Sequence, residues 1–276
     1  MPGFWKTIRK SFGDSYDYLG TIIICSFVWF TVVVGSLSGW AALRVESTEA
    51  WIGFAAALYI LLLGPLAAGV YYAARKIVTR DDPSPLDLFR GAKEFWGRAV
   101  LLAFSQVFIT SLICVNAWFY FSRGSMFFQA LGMLFLYALL VWMMSALYHY
   151  PVMIEQRPST LKIIKRGFLL TLDNPAFTGC VLFAIMLLTC FSVGVILPMA
   201  LLYMGLSSVI LTRALRALFV KYELLPPEKE PSPDDDPWEM VADDPHALAR
   251  ARRESRKHRA EPSTEGADPD VVGIAD

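Results

Sequence analysis

Few residues in this chain could do chemistry, and most of them lie in or beside long apolar runs. His149 stands in Tyr148-His149-Tyr150-Pro151. Imidazole can serve as acid, base or metal ligand, but a metal centre needs several nitrogen, sulfur or carboxylate donors. The other histidines, His246 and His258, belong to a polar tail. The expectation is therefore no metal, and a histidine satisfied by a backbone carbonyl at a helix end. Gln106 and Asn116 share one apolar run. On a helix they differ by about 80° and roughly 15 Å, too far to hold one small ligand together. Each reads as an interhelical hydrogen-bonding group. Arg213 falls near the end of the last apolar run, where its stem can carry the charge to the membrane interface.

Gly64-Pro65 is the most informative pair. Proline inside a helix frees a carbonyl and bends the axis, and in lipid that carbonyl must find another partner. Ala67, Ala68 and Gly69 follow, so this turn presents small residues that let a neighbouring helix approach. The pair reads either as a packing kink or as a hinge of the kind found in discontinuous transporter helices. Cys25, Cys114, Cys180 and Cys190 form no C-x-x-C pair and fall in apolar surroundings, where a thiol behaves as a small hydrophobe. There is no G-x-S-x-G, H-E-x-x-H, Walker loop or G-x-G-x-x-G. These observations predict no enzyme, no cofactor and no nucleic-acid partner.

The elements that must carry these residues follow from composition. The chain has 276 residues, 55% hydrophobic and only 18% charged, where soluble domains run near 25% charged. A span needs about 20 apolar residues. Qualifying stretches are 19–43, 51–74, 99–121 and 127–150. A longer one, 177–220, is interrupted by Gly194 and Pro198 and reads as two helices with a tight turn, or as a re-entrant pair. No span holds Asp, Glu or Lys at depth, which argues against a proton-driven pump.

Lys and Arg set the orientation. They crowd the leader, the loop with Arg90, Lys93 and Arg98, the loop with Lys162, Lys165 and Arg166, and the end of span six. The opposite side has only Arg44 and Arg123. Six spans with both termini cytoplasmic satisfy this alternation. Trp40, Trp51, Trp118 and Tyr120 mark the outer boundary, and Trp5 and Trp96 the inner one. Span one, with its apolar run continuing past Ser36 and Ser38, is expected to be retained rather than cleaved.

Each odd-numbered span is preceded by an amphipathic stretch. Phe4, Trp5, Ile8 and Phe12 oppose Lys6, Arg9 and Lys10. Leu88, Phe89, Ala92, Phe95 and Trp96 oppose Asp87, Arg90, Lys93, Glu94 and Arg98. Ile163, Ile164, Phe168 and Leu170 oppose Lys162, Lys165 and Arg166. Basic helices of this kind lie in the interface plane and attract membrane lipids. The predicted fold is an all-α membrane protein of six transmembrane helices, arranged as three hairpins (1–80, 81–157 and 158–222), each entered through a cytoplasmic amphipathic helix. Residues 1–222 form this domain. The tail, 223–276, is expected to be mostly disordered. Its acidic part, 228–244, holds eight acids, and its basic part holds five arginines, with a short basic helix over 245–260.

The layout resembles the YesL-like family of bacterial integral membrane proteins, a domain of unknown function. The resemblance rests on Leu63-Gly64-Pro65-Leu66-Ala67-Ala68, on Leu88-Phe89-Arg90-Gly91-Ala92-Lys93-Glu94-Phe95, on Asn116-Ala117-Trp118-Phe119-Tyr120 and on Leu172-Asp173-Asn174-Pro175. It covers residues 1–222 and implies an inner-membrane protein. Family members often occur beside carbohydrate permeases and sensor kinases, which implies an accessory or scaffold role with such a partner. A small-solute facilitator or channel is the alternative, and a membrane-embedded lipid-modifying enzyme the second.

Overall fold

The computed structural model describes residues 4–42, 47–195 and 200–225. Arg44, Pro198 and the tail with its expected helix over 245–260 lie outside the described residues. All regular elements among the described residues are helical. They are α1 (Phe4–Asp17), α2 (Leu19–Ala42), α3 (Thr48–Leu58), a π-helical turn (Tyr59–Leu63), α4 (Gly64–Thr79), α5 (Asp87–Glu94), α6 (Trp96–Phe121), α7 (Met126–Ala146), α8 (His149–Gln156), α9 (Thr160–Asp173), α10 (Pro175–Gly194) and α11 (Tyr203–Lys221).

Six helical stretches are long and apolar enough to cross a bilayer: Leu19–Ala41, Thr48–Thr79, Trp96–Phe121, Met126–Gln156, Pro175–Ser192 and Tyr203–Lys221. The chain is a multi-pass membrane protein built as an all-α bundle. The second and fourth spans run further than hydropathy alone suggests. Their added turns carry Arg75, Lys76 and Glu155, whose charges are paired rather than left in lipid. The last two helices, of 20 and 19 residues, are each long enough to traverse on their own.

The helices are not equivalent. Over its most apolar stretch α11 is 72% buried, while the other five spans are 17% to 33% buried. Its Val209, Ala214, Leu215 and Leu218 are sealed among α4, α8, α10 and the leader helix α1. This explains a compositional oddity. α11 is the least hydropathic span and carries Ser207, Ser208, Thr212, Arg213 and Arg216, a polar load that a lipid-facing helix would not tolerate. The first turn of α11 has free backbone donors, as every helix start does. Ser26 of α2 accepts from the Gly205 N–H at 2.9 Å and fills that role from another span.

Most of the core lies toward one end, where α4, α8, α9 and α11 bury Ala68, Tyr148, Val152, Met153, Ile163 and Leu218. The far halves of α6 and α7 instead present Phe108, Leu112, Trp118, Met133, Leu134 and Tyr137 outward. That apolar surface is the expected dress of lipid-facing helices.

Helices α1, α5 and α9 lie outside the spans. In α1 the buried residues are polar, Ser11, Asp14 and Ser15, while Trp5, Phe12 and Tyr16 are exposed. In α5, Leu88 and Gly91 pack inward while Phe89 points away. Helices α4 and α5 cross closely. A Cβ on Gly69 would stand 2.1 Å from the Leu88 carbonyl oxygen, and one on Gly91 would stand 2.5 Å from Tyr72 Cβ. Only glycine permits that approach.

Candidate functional site

Two of the spans are broken, and the breaks face each other. In the second span the π-helical turn Tyr59–Leu63 precedes Gly64-Pro65. Gly64 N–H donates five residues back to the Tyr59 carbonyl, which widens the turn. Pro65 supplies no donor, so the preceding turn is the natural place for the ladder to slip. Single π-turns inside helices are frequent at functional sites. In the fourth span the helix stops at Ala146 and restarts at His149, with Leu147 and Tyr148 between. Tyr148 N–H bonds only three residues back, to Ser145. Pro151 follows at the third position of α8, where no intrahelical donor is required.

A chain of buried and half-buried polar groups joins the breaks. Tyr59 donates its hydroxyl to Gln106 Oε1 at 2.6 Å. Gln106 Nε2 lies 3.1 Å from His149 Nδ1, and His149 Nε2 lies 3.2 Å from Ser145 Oγ. With Tyr59 as donor to Oε1, the amide nitrogen donates to Nδ1. The imidazole is then neutral, protonated at Nε2, and donates to Ser145 Oγ. Trp142 stacks edge-on to the ring at 5.3 Å and anchors its own N–H on Thr110 Oγ1 at 3.0 Å. Gly167 of α9 closes the other side, where a Cβ would stand 2.8 Å from His149 Cδ2. Beside this network Tyr71 and Tyr150 stack with centroids 5.6 Å apart.

His149 is therefore held by two side chains from two spans, not by a backbone carbonyl. Both His149 and Ser145 are 0% exposed. A serine beside a histidine with an oriented second nitrogen has the order of a nucleophile, base and orienting group, but this pair is enclosed on every side.

The remaining sequence candidates separate by location. Gly64 abuts α6, with a Cβ placed 2.8 Å from Ala103 Cβ, and Gly69 abuts α5. The small-residue face therefore serves close packing around Pro65. Gln106 makes the interhelical bonds expected of it. Asn116 does not: its Nδ2 donates to the Leu112 carbonyl of its own helix at 2.7 Å. A residue near the helix surface takes the nearest carbonyl when no neighbouring helix offers a group. Arg213 does not reach outward. It is buried and paired with Asp14 of α1.

The basic residues Lys93, Lys162 and Lys165 are exposed. Arg90 leans on Asp87 at 3.5 Å, Arg98 caps the Arg157 carbonyl at 3.0 Å, and Arg166 bonds Gln156. Asp87 is the hub of a second cluster. Lys76 Nζ reaches both its oxygens at 3.1 Å, and Ser84 N–H donates at 2.9 Å. Burial alone would raise the Asp87 carboxyl, but the Ser84 amide, Lys76 and Arg90 together hold it below the usual carboxylate value.

Among the described residues, no group of three or more His, Cys, Asp or Glu is placed to hold a metal ion. Sequence reasoning named Gln106 and His149 without joining them, and it missed Tyr59, Trp142 and Ser145. Trp142, Ser145 and His149 recur at three- and four-residue steps, as Gln106 and Thr110 do, so a shared helical face was readable. No family model, curated protein or solved structure matches the chain.

Proposed function

We propose that this chain is a non-enzymatic accessory or scaffold protein of the bacterial inner membrane, with both termini cytoplasmic, serving a transport or signalling complex. Carbohydrate uptake is the favoured context, through the resemblance to the YesL-like family. The partner is a permease or sensor kinase, met by the cytoplasmic elements and the tail. The observation that carries this reading is the filling of the bundle centre by α11. A conduit along the axis would need water-lined space where Val209, Ala214 and Leu218 are packed. The enclosure of Ser145 and His149 supports the non-enzymatic reading, because a substrate does not reach a fully buried pair. The order of elements supports three hairpins, since α1, α5 and α9 precede α2, α6 and α10.

The test is affinity purification in mild detergent, followed by mass spectrometry, of the full chain and of a chain ending at Tyr222. The expected result is a stoichiometric permease or kinase that is lost on truncation. A homogeneous protein with no partner in either form, able to move a solute in proteoliposomes, overturns the reading. That outcome would favour a small-solute facilitator. One observation speaks for it: two broken spans facing each other across polar groups, as transporter sites are built.

A further inference from the structure

Three helices point one face each into a narrow cleft at the end of the bundle that carries the basic loops. Helix α4 contributes Tyr71 and Arg75, α8 contributes Pro151, Ile154 and Glu155, and α11 contributes Thr212, Leu215 and Arg216. The spacings are three and four residues, so these side chains stack on the facing sides of their helices.

Glu155 sits between the two arginines. Arg75 Nε lies 2.8 Å from Oε2, and Arg216 Nη1 lies 3.2 Å from Oε1. The carboxylate is mostly buried, with its side chain 9% exposed, whereas Arg75 and Arg216 are 35% and 27% exposed. Two cations against one carboxylate leave one positive charge at the cleft. Glu155 Oε1 accepts a hydrogen bond from Arg216 Nη1, and Oε2 faces Arg75 Nε as an ion pair without a hydrogen bond. Among the described residues, nothing engages Nη1 and Nη2 of Arg75 or Nε and Nη2 of Arg216. Guanidinium forks with free N–H groups match tetrahedral oxyanions.

A second observation is independent of the arginines. Thr212 is 4% exposed and lines the same cleft, and its Oγ1 has no hydrogen-bond partner. A buried hydroxyl is normally satisfied. This one lies one helical turn before Arg216. The side chains around it close too tightly for a water molecule, so an acceptor held by the partly exposed arginines reaches the hydroxyl when their side chains part.

We infer that this cleft is a phosphate-group site, filled by the headgroup phosphate of an anionic phospholipid or by a soluble phosphate compound. Arg75 and Arg216 bind the oxyanion, Glu155 fixes their orientation, and the Thr212 hydroxyl donates from the floor. Basic pockets between spans at the charged membrane face take lipid headgroups in this way. The inference does not depend on the accessory reading of the chain.

The test is native mass spectrometry of the full-length protein in detergent, titrated with phosphatidylglycerol and, separately, with phosphatidylcholine. Arg75→Gln, Arg216→Gln and Thr212→Val are compared with the unaltered chain and with Lys162→Gln, a distant exposed cation. One phosphatidylglycerol should bind per chain in preference to phosphatidylcholine. Each arginine variant should weaken it about tenfold, and Thr212→Val, which keeps charge and shape, about threefold. Lys162→Gln should leave it unchanged. Displacement by millimolar inorganic phosphate assigns the site to a soluble phosphate, and resistance to displacement assigns it to lipid. Thermal midpoints confirm that each variant is folded. Equal lipid binding by folded Thr212→Val and arginine variants, or an equal loss in Lys162→Gln, overturns the proposal.

Discussion

Asp14, in the helix before the first span, forms a buried ion pair with Arg213, in the last span. The two side chains are 6% and 9% exposed. The pair closes the whole bundle onto itself, because it ties the leader to the central helix 199 residues later. Removing one partner of a buried pair leaves an uncompensated charge, at a cost of about 3 kcal/mol. Asp14→Ala and Arg213→Ala should each lower the thermal midpoint in detergent. The double variant should lose less than the sum of the two. Additive losses would contradict the pairing.

The Asp87 cluster makes a pH prediction. Its carboxyl is held below the usual value by Ser84, Lys76 and Arg90 against the effect of burial. A depressed carboxylate stabilises the fold above its unfolded value of about 4, and that contribution is lost as pH falls through the folded value. The thermal midpoint should therefore hold steady from pH 7 to about 5 and drop below about 4. In Asp87→Asn the starting stability should be lower and the acid drop smaller. An identical acid profile in the variant would contradict the assignment.

The α4–α5 crossing predicts a sharp contrast between glycines. Gly69→Ala would place a Cβ 2.1 Å from the Leu88 carbonyl, so α5 must lift away. The expected loss is about 2–3 kcal/mol. Gly97→Ala meets nothing within 4 Å and should be neutral or slightly stabilising. Melting of both variants in the same detergent checks the contrast.

The buried histidine offers a spectroscopic readout. The bonds to Gln106 and Ser145 assign His149 as a neutral ring protonated at Nε2. Nitrogen NMR of the histidine-labelled protein should show one ring with the signature of a neutral, Nε2-protonated imidazole. Gln106→Leu strands both Tyr59 and His149, and should cost about 2 kcal/mol and shift that signal. A ring without that signature, or one whose signal ignores Gln106→Leu, would contradict the network.

Much of the architecture could be read from the chain. Hydropathy locates six spans. The less legible parts depend on pairing between distant residues. Arg213 reads as an interfacial cation because nothing near it in sequence carries charge of the opposite sign; its partner stands in the leader. Tyr59 reads as one more aromatic in an apolar run, since only the π-turn aims it at Gln106. The break at Leu147 and Tyr148 was hidden because Pro151 follows it at a position that a helix tolerates. The central place of α11 did leave a trace. A span with two arginines and four hydroxyls among its buried or half-buried residues must be shielded from lipid.

Thiol accessibility along α11 tests the filled centre most directly. With Cys25, Cys114, Cys180 and Cys190 replaced, single variants Val209→Cys, Ala214→Cys and Leu218→Cys would be exposed in turn to a water-soluble thiol reagent in intact membranes. Leu86→Cys, at a position 60% exposed in the native chain, is the reactive control. The packed bundle predicts reaction at position 86 and none at the three α11 positions. Ready labelling along one face of α11 would reveal a water-filled path and contradict the scaffold account.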